Sequence, residues 1–160
     1  MDTDKQIKLD LGSGFVRQGT EWTTIDLSPK CNPDYVWDIR NTPYPEEWAP
    51  ENGVDYIRAD NLFEHIEPYT LIKVIQELHR ILKVGGILWI RVPNVNIIEA
   101  AFTDPTHVNY FHPNTFDYYD KNHARNRWKE YGQLYGIPPF KRIRQVEVTK
   151  FIIVELKKIE

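Results

Sequence analysis

Glu77-Leu78-His79-Arg80-Ile81-Leu82-Lys83-Val84-Gly85-Gly86-Ile87-Leu88-Trp89-Ile90-Arg91-Val92 contains a change of period from that of a helix to that of a strand. Over residues 70–83 the apolar positions Leu71, Val74, Ile75, Leu78, Ile81 and Leu82 recur at i, i+3, i+4 and i+7, so one face of a helix is buried. Lys83 and Gly85-Gly86 are the expected stop, because glycine tolerates the left-handed conformation in which helices end. Residues 87–92 are then apolar apart from Arg91 and close at Pro93-Asn94, which reads as a buried strand.

The same alternation extends toward the N-terminus. Residues 7–11, 22–27 and 54–59 have strand patterning and close on Gly12, Asp26 and Asp60-Asn61, while residues 35–39 suit a short strand between the second and fourth. Residues 42–50, with three prolines, read as irregular. Strands joined by long or helical connections favour a parallel sheet covered on both faces. Toward the C-terminus, residues 142–148 and 151–156 alternate around Thr149-Lys150 and read as a closing antiparallel hairpin. The fold class is therefore α/β, a Rossmann-like, mostly parallel twisted sheet with a C-terminal antiparallel hairpin. Residues 95–140 form an insertion rich in His, Tyr, Phe, Asn and Pro, with helices expected over 114–120 and 123–135, the second ended by Gly136 and Pro138-Pro139.

The 160 residues are 41% apolar and 27% charged, which suits one domain spanning 1–160 and leaves no room for a second catalytic domain. No run approaches the ~18 apolar residues of a membrane span, and Met1 to Lys5 lack the apolar run of a secretory signal. Cys31 is the only cysteine, which excludes an internal disulfide and a multi-thiolate zinc site and fits a reducing, cytoplasmic setting. Charge is asymmetric. Residues 1–120 carry 10 Lys/Arg against 19 Asp/Glu, and residues 121–160 carry 10 against 4. The basic stretch from Lys121 to Arg144 is either a solvated face or a surface that attracts phosphate or nucleic acid.

Three elements point to a nucleoside. Leu9-Asp10-Leu11-Gly12-Ser13-Gly14 ends the first strand, and in open α/β sheets ligands bind outside the carboxyl ends of strands. Asp26 ends the second strand, where a carboxylate can accept bonds from both ribose hydroxyls. Trp37-Asp38-Ile39 offers a polar and then an apolar residue for an adenine amino group and its ring. A nicotinamide dinucleotide fits less well, because the second glycine of Gly12-Ser13-Gly14 is not followed by a third at the required spacing; position 17 is Arg17. Only Gly12 to Trp22 separates the first two strands, too few residues for a multi-turn helix and two loops.

With these motifs in this order the chain resembles the class I S-adenosylmethionine-dependent methyltransferases over roughly residues 7–94. The resemblance rests on the glycine motif, Thr24-Ile25-Asp26-Leu27-Ser28-Pro29, Asn61-Leu62-Phe63-Glu64-His65 and Glu77 to Gly86. The short first connection, with Gly19-Thr20-Glu21-Trp22 in place of a first helix, is similar to a short-loop branch of the type 11 methyltransferases, some of them associated with surface-sugar biosynthesis. The resemblance implies a minimal methyltransferase fold with S-adenosylmethionine as cofactor. It also implies that Asp10, Gly12, Ser13, Gly14, Asp26, Leu27, Asp38, Ile39 and Asn61 hold that cofactor. Without a first helix, loop amides of Ser13 to Val16, or Arg17, are left to meet the methionine carboxylate.

Methyl transfer needs placement and, for a hydroxyl acceptor, removal of a proton. His65, after the fourth strand, is one candidate base. The insertion offers another in Asp104-Pro105-Thr106-His107, followed by Tyr110-Phe111-His112-Pro113. A similar Asp-Pro-Thr-His stretch in relatives overhangs the active site, which implies that the insertion lies on the acceptor side. There His107 is expected as base, Asp104 as its orienting partner, and Tyr110 and His112 as acceptor contacts; the bland alternative is a capped turn and an interior histidine. Asp104, His107 and His112 make a permissible metal set, but no regular element fixes them and no metal is expected. The expected acceptor is a small molecule or a sugar-type compound, methylated at oxygen or nitrogen. The alternatives are a binding module without turnover and a nucleic-acid methyltransferase using the basic segment 121–144. The latter is disfavoured because no Pro-Pro-aromatic motif follows the fourth strand and no chain remains for a base-recognition domain.

Overall fold

The computed structural model describes residues 5–160. Its centre is a seven-stranded sheet of β1 (Lys8–Leu11), β2 (Trp22–Asp26), β3 (Tyr35–Val36), β4 (Val54–Asp60), β5 (Leu82–Pro93), β6 (Phe140–Val148) and β7 (Phe151–Lys158). Their spatial order is β3-β2-β1-β4-β5-β7-β6. Strands β1 to β5 pair in parallel, and β7 runs antiparallel to both β5 and β6. The chain moves outward from β1 to β2 and β3 and then returns to β4 on the other side. That reversal opens a crevice at the carboxyl ends of β1 and β4, where doubly wound sheets bind ligands.

The pleat sorts the strands' side chains onto two unlike faces. The register aligns Leu9 with Ile57, Ile57 with Leu88 and Leu88 with Leu156, and Leu11 with Ala59, Ala59 with Ile90 and Ile90 with Val154. None of these is more than 1% exposed. They pack in one core with Leu71, Val74, Ile75, Leu78 and Ile81 of α1 (Pro68–Ile81), with Tyr44, Trp48 and Phe116 from the connections and with Phe140 of β6. Alternate residues point the other way. There Lys8, Trp22, Tyr56, Arg58, Trp89 and Arg91 remain partly exposed, with Arg58 over the Trp89 ring and Arg91 over Phe151. The sheet is thus covered on one face, not on the two expected of a parallel sheet, because no helix intervenes between β1 and β2 or between β2 and β4 except a 3-10 turn at Pro29–Cys31.

Other departures have local causes. α1 stops at Ile81, and its last carbonyls are satisfied from distant segments: the Asn52 and Gly53 amides donate to Arg80 and Ile81, and the Lys158 ammonium donates to the backbone oxygens of His79 and Leu82 and to Asn52 Oδ1. Gly85 and Gly86 instead sit in a bulge of β5. Pairing jumps from Val54 with Leu82 to Tyr56 with Ile87, and Gly85 makes the turn at φ +88°. β3 ends at Val36 because Asp38 begins a turn, accepting the Asn41 amide on its carbonyl. The helix expected over 123–135 is replaced by turns and one π-helical turn, Trp128–Gly132, since Asn126 adopts φ +52°. A short α2 (Ile98–Phe102) and a 3-10 helix (Pro113–Tyr118) complete the insertion. Among the described residues no helix is long and apolar enough to cross a membrane.

Candidate active site

Two cavities open at the carboxyl ends of the central strands. The smaller, about 300 Å³, is lined by Gly12, Asp26, Leu27, Trp37, Asp38, Ile39, Arg40, Leu62, His65 and Ile66. Gly12 turns out of β1 at φ +63°, and a Cβ there would stand 2.7 Å from Leu62 Cδ1. Its glycine character therefore serves a close packing of loop on loop, and Leu62 is the atom group it protects. Asp26 is held at both oxygens: the Ser28 amide donates to Oδ1 at 2.8 Å and the Gly14 amide to Oδ2 at 2.9 Å. Each oxygen keeps a second lone pair for a ligand hydroxyl.

Five of the nine residues expected around a cofactor line this cleft: Gly12, Asp26, Leu27, Asp38 and Ile39. Ser13 and Gly14 form the loop behind it, with the Ser13 amide donating to the Ile25 carbonyl. Asp10 is fully buried beneath the sheet's open face, paired with Arg58; burial pushes its carboxyl up, and Oδ2 has no partner among the described residues. Asp38 departs from its expected role, because Arg40 donates Nε and Nη2 to its carboxylate and holds it below the usual range. A purine amino group would meet an ion pair there. Arg17, a candidate for the methionine carboxylate, donates instead to Asp34 at 2.7 Å. Arg40 and Leu62 were not legible as lining residues, since only the folded loops bring them to the cleft.

The larger cavity, about 670 Å³, is lined by Asn61, Glu64, His65, Thr103, Asp104, His107, Lys150 and Phe151 among others. Asn61 thus faces this cavity and not the smaller cleft. Its backbone is left-handed, its amide donates to the Arg91 carbonyl, and its Oδ1 is buried without a partner among the described residues. His65 lines both cavities.

His65 and His107 come together here, with ring centroids 4.9 Å apart and edge to face. Asp104 does not orient His107. Their closest approach, Nε2 to Oδ2, is 3.9 Å, too long for a hydrogen bond, and the Asp104 carboxylate accepts from the Thr106 amide and hydroxyl at 2.8 and 2.6 Å. Those bonds hold Asp104 below the usual range. The Ala101 carbonyl, 2.8 Å from Nδ1, orients His107 in its place. The Thr106 hydroxyl gives its proton to Asp104, so it accepts from His65 Nδ1 at 3.0 Å. In each neutral ring the proton therefore sits on Nδ1 and leaves the Nε2 lone pair free.

Glu64, unassigned by the motifs, completes the cluster. It is 1% exposed, burial pushes its carboxyl up to about 7, and its Oε2 has no partner among the described residues. The signal for it was an acidic residue inside the apolar run Leu62-Phe63-Glu64-His65-Ile66. His112 and Tyr110 line neither cavity. His112 caps the 3-10 helix, its Nδ1 accepting the Asn114 amide, and Tyr110 stacks on Phe102 and donates to the His107 carbonyl. The set Asp104, His107 and His112 consequently does not converge. The basic segment is largely consumed internally: Arg125 and Arg142 pair with Asp117, Arg127 with Glu130, Lys121 with Glu160 and Arg144 with Glu155.

No protein-family model matches the sequence, and no curated protein matches it. Solved structures do. The chain is similar to a SAM-dependent methyltransferase from Archaeoglobus fulgidus, at 15% identity and a TM-score of 0.65, over 97% of this chain and 87% of that one. A SAM-dependent methyltransferase from Clostridium acetobutylicum aligns at 12% identity and 0.63, covering 96% and 84%. The fold is that of the class I methyltransferases. A third relative, the 1,6-didemethyltoxoflavin-N1-methyltransferase of Burkholderia thailandensis, holds its substrate and S-adenosylhomocysteine, and aligns at 13% identity and 0.61 over 96% of this chain and 71% of that one.

Proposed function

We propose that the protein transfers the methyl group of S-adenosylmethionine to a small, hydroxylated, sugar-type acceptor at oxygen or nitrogen. The observation that carries this reading is the place of His65, whose side chain lines both the nucleoside cleft and the larger cavity. A donor in one and an acceptor in the other meet at that shared wall, and alignment is most of what methyl transfer demands. The cofactor supplies a methyl carbon on a sulfonium that departs as a neutral thioether. In the cleft, Asp26 accepts the ribose hydroxyls, and Leu27 and Ile39 cover the purine; Leu27 is 60% exposed, an apolar surface that a ring would shield.

On the acceptor side, Glu64, His65 and His107 face the atom that loses its proton as the new bond to carbon forms. The mouth carries Glu99 and Asp104 against Lys150. That balance favours a neutral polyol over a phosphate or a nucleic acid. The experiment is a calorimetric titration with S-adenosylhomocysteine followed by a methyl-release assay across free sugars and nucleotide-sugars. Turnover of a sugar that is lost in His65→Ala, with S-adenosylhomocysteine binding retained, supports the reading. Binding with no turnover of any acceptor favours a module without catalysis.

A further inference from the structure

We propose that Glu64, His65 and His107 form a binding site for one first-row divalent cation of the zinc class. Each of the three side chains offers a donor atom, and these atoms all lie within 4.8 Å of one another. Two come from adjacent positions of the 3-10 turn Phe63–His65 behind β4, and the third from the loop behind α2. Two imidazoles and one carboxylate are a donor set such cations accept with positions left open for a further ligand.

The surroundings prepare each donor. A ligating histidine usually gives its other ring N–H to a carbonyl or carboxylate, which fixes the tautomer. His107 does so to the Ala101 carbonyl at 2.8 Å. His65 does so to Thr106 Oγ1 at 3.0 Å, and that hydroxyl is in turn anchored on Asp104. The third donor is a carboxylate oxygen of Glu64, a side chain whose Oε2 is buried without a partner among the described residues. A buried polar atom without a partner is costly, and a bound cation would supply that partner. The neighbouring Asp60 is already engaged by Arg58 and Arg91, so no arginine reaches across to Glu64.

Donors on a tetrahedral ion with bonds of ~2.1 Å stand roughly 3.4 Å apart, so donors within 4.8 Å of one another close by at most about 1.4 Å. His65 is exposed, so its ring can make that movement about its bond to Thr106 Oγ1. If the larger cavity holds the acceptor, as the functional reading above requires, a cation there would bind the acceptor hydroxyl and ease its loss of a proton to water. The proton goes to solvent, the oxygen lone pair forms the bond to the methyl carbon, and the carbon–sulfur pair stays on sulfur.

The test is calorimetric titration of Zn²⁺ into untagged protein previously dialysed against a chelator, repeated with Co²⁺ while its visible absorption is recorded. One ion per chain is expected, with tetrahedral or five-coordinate cobalt bands, and at least tenfold weaker binding in His65→Asn, His107→Ala and Glu64→Gln. Thr106→Val, which leaves all three donors intact, should weaken binding about tenfold through the His65 ring. His65 is exposed, so His65→Asn decides the matter should the buried variants unfold. Undiminished binding in His65→Asn, or none in the parent chain, overturns the site. S-adenosylhomocysteine titrated into the same samples separates the two readings: cofactor binding without zinc rejects only the metal site, and zinc binding without cofactor rejects only methyl transfer.

Discussion

His65 and His107 present their rings edge to face, 4.9 Å between centroids, with Nδ1 of each committed to an oxygen of the insertion. One ring belongs to the turn behind β4 and the other to the loop behind α2. Their meeting makes a reactive face of two Nε2 lone pairs out of segments that neither strand pairing nor helix packing joins directly. The insertion therefore acts as a clamp on His65, through Thr106, as well as a source of His107.

The two insertion histidines should separate cleanly. His107→Ala is expected to lower turnover by roughly 10²-fold or more with little change in S-adenosylhomocysteine affinity. His112→Ala removes a cap and should cost about 1 kcal/mol of stability while leaving turnover unchanged. Thermal melts and steady-state rates of both variants, side by side, check the pair; equal activity of parent and His107→Ala at saturating acceptor rejects the assignment.

Gly12 and Gly14 share a left-handed backbone and differ in surroundings. A Cβ at Gly14 meets nothing within 4 Å, so Gly14→Ala should cost about 1 kcal/mol, the conformational term alone. Gly12→Ala adds the 2.7 Å approach to Leu62 and should displace a residue that lines the cleft, lowering both stability and cofactor affinity by more than Gly14→Ala does. Urea unfolding together with calorimetry distinguishes the two; matching losses would mean that Leu62 yields freely.

Much of the fold was legible because its determinants are periodic. The 3.6-residue spacing of Leu71, Val74, Ile75, Leu78 and Ile81 announced α1, and the alternations in β1, β4 and β7 announced strands. What periodicity could not show was how connections are satisfied. Asn52, Gly53 and the distant Lys158 satisfy the end of α1 where glycine was expected to, and Asn126 breaks a stretch whose composition suits a helix. The cleft was readable at Gly12 and Asp26, which sit where strands end in any open α/β sheet. The acceptor side was half readable. Asp104 and His107 have the spacing of a pair, yet Thr106 is nearer and captures the carboxylate in a local turn. Glu64 escaped notice because its significance is burial without a partner, a tertiary property.

Acid sensitivity should trace in part to His79. Its Nε2 donates to the Pro139 carbonyl, and burial, with Lys158 adding, draws its pKa down to about 4 from the ordinary 6.5. The unfolded chain takes up this proton near 6.5 and the folded one only near 4, so the contribution is present above pH 6.5 and lost as pH falls toward 4. Between pH 6.5 and 5 that amounts to about 1–2 kcal/mol. Urea midpoints of parent and His79→Gln at pH 7, 6 and 5 should show a flatter dependence in the variant; identical slopes would remove His79 from the account.

Arg142 and Arg125 test whether the basic segment is structural. Arg142 pairs with Asp117 at 2.9 Å with side chains 14% and 5% exposed, and Arg142→Ala should cost on the order of 3 kcal/mol. Arg125, 57% exposed and 3.4 Å from the same carboxylate, should cost below ~1 kcal/mol. Retention on a polyanion column at low salt is expected to be weak for all. Strong retention lost in Arg125→Ala without loss of stability would instead make the segment an anion surface.

The most direct measurement is the titration of S-adenosylhomocysteine into the parent chain and into Asp26→Ala and His65→Ala. The cleft of Gly12 and Asp26 predicts one site per chain, weakened by about 1.5–3 kcal/mol in Asp26→Ala and nearly unchanged in His65→Ala. A folded Asp26→Ala that binds as tightly as the parent, or a parent that gives no binding heat and no thermal shift, would contradict it.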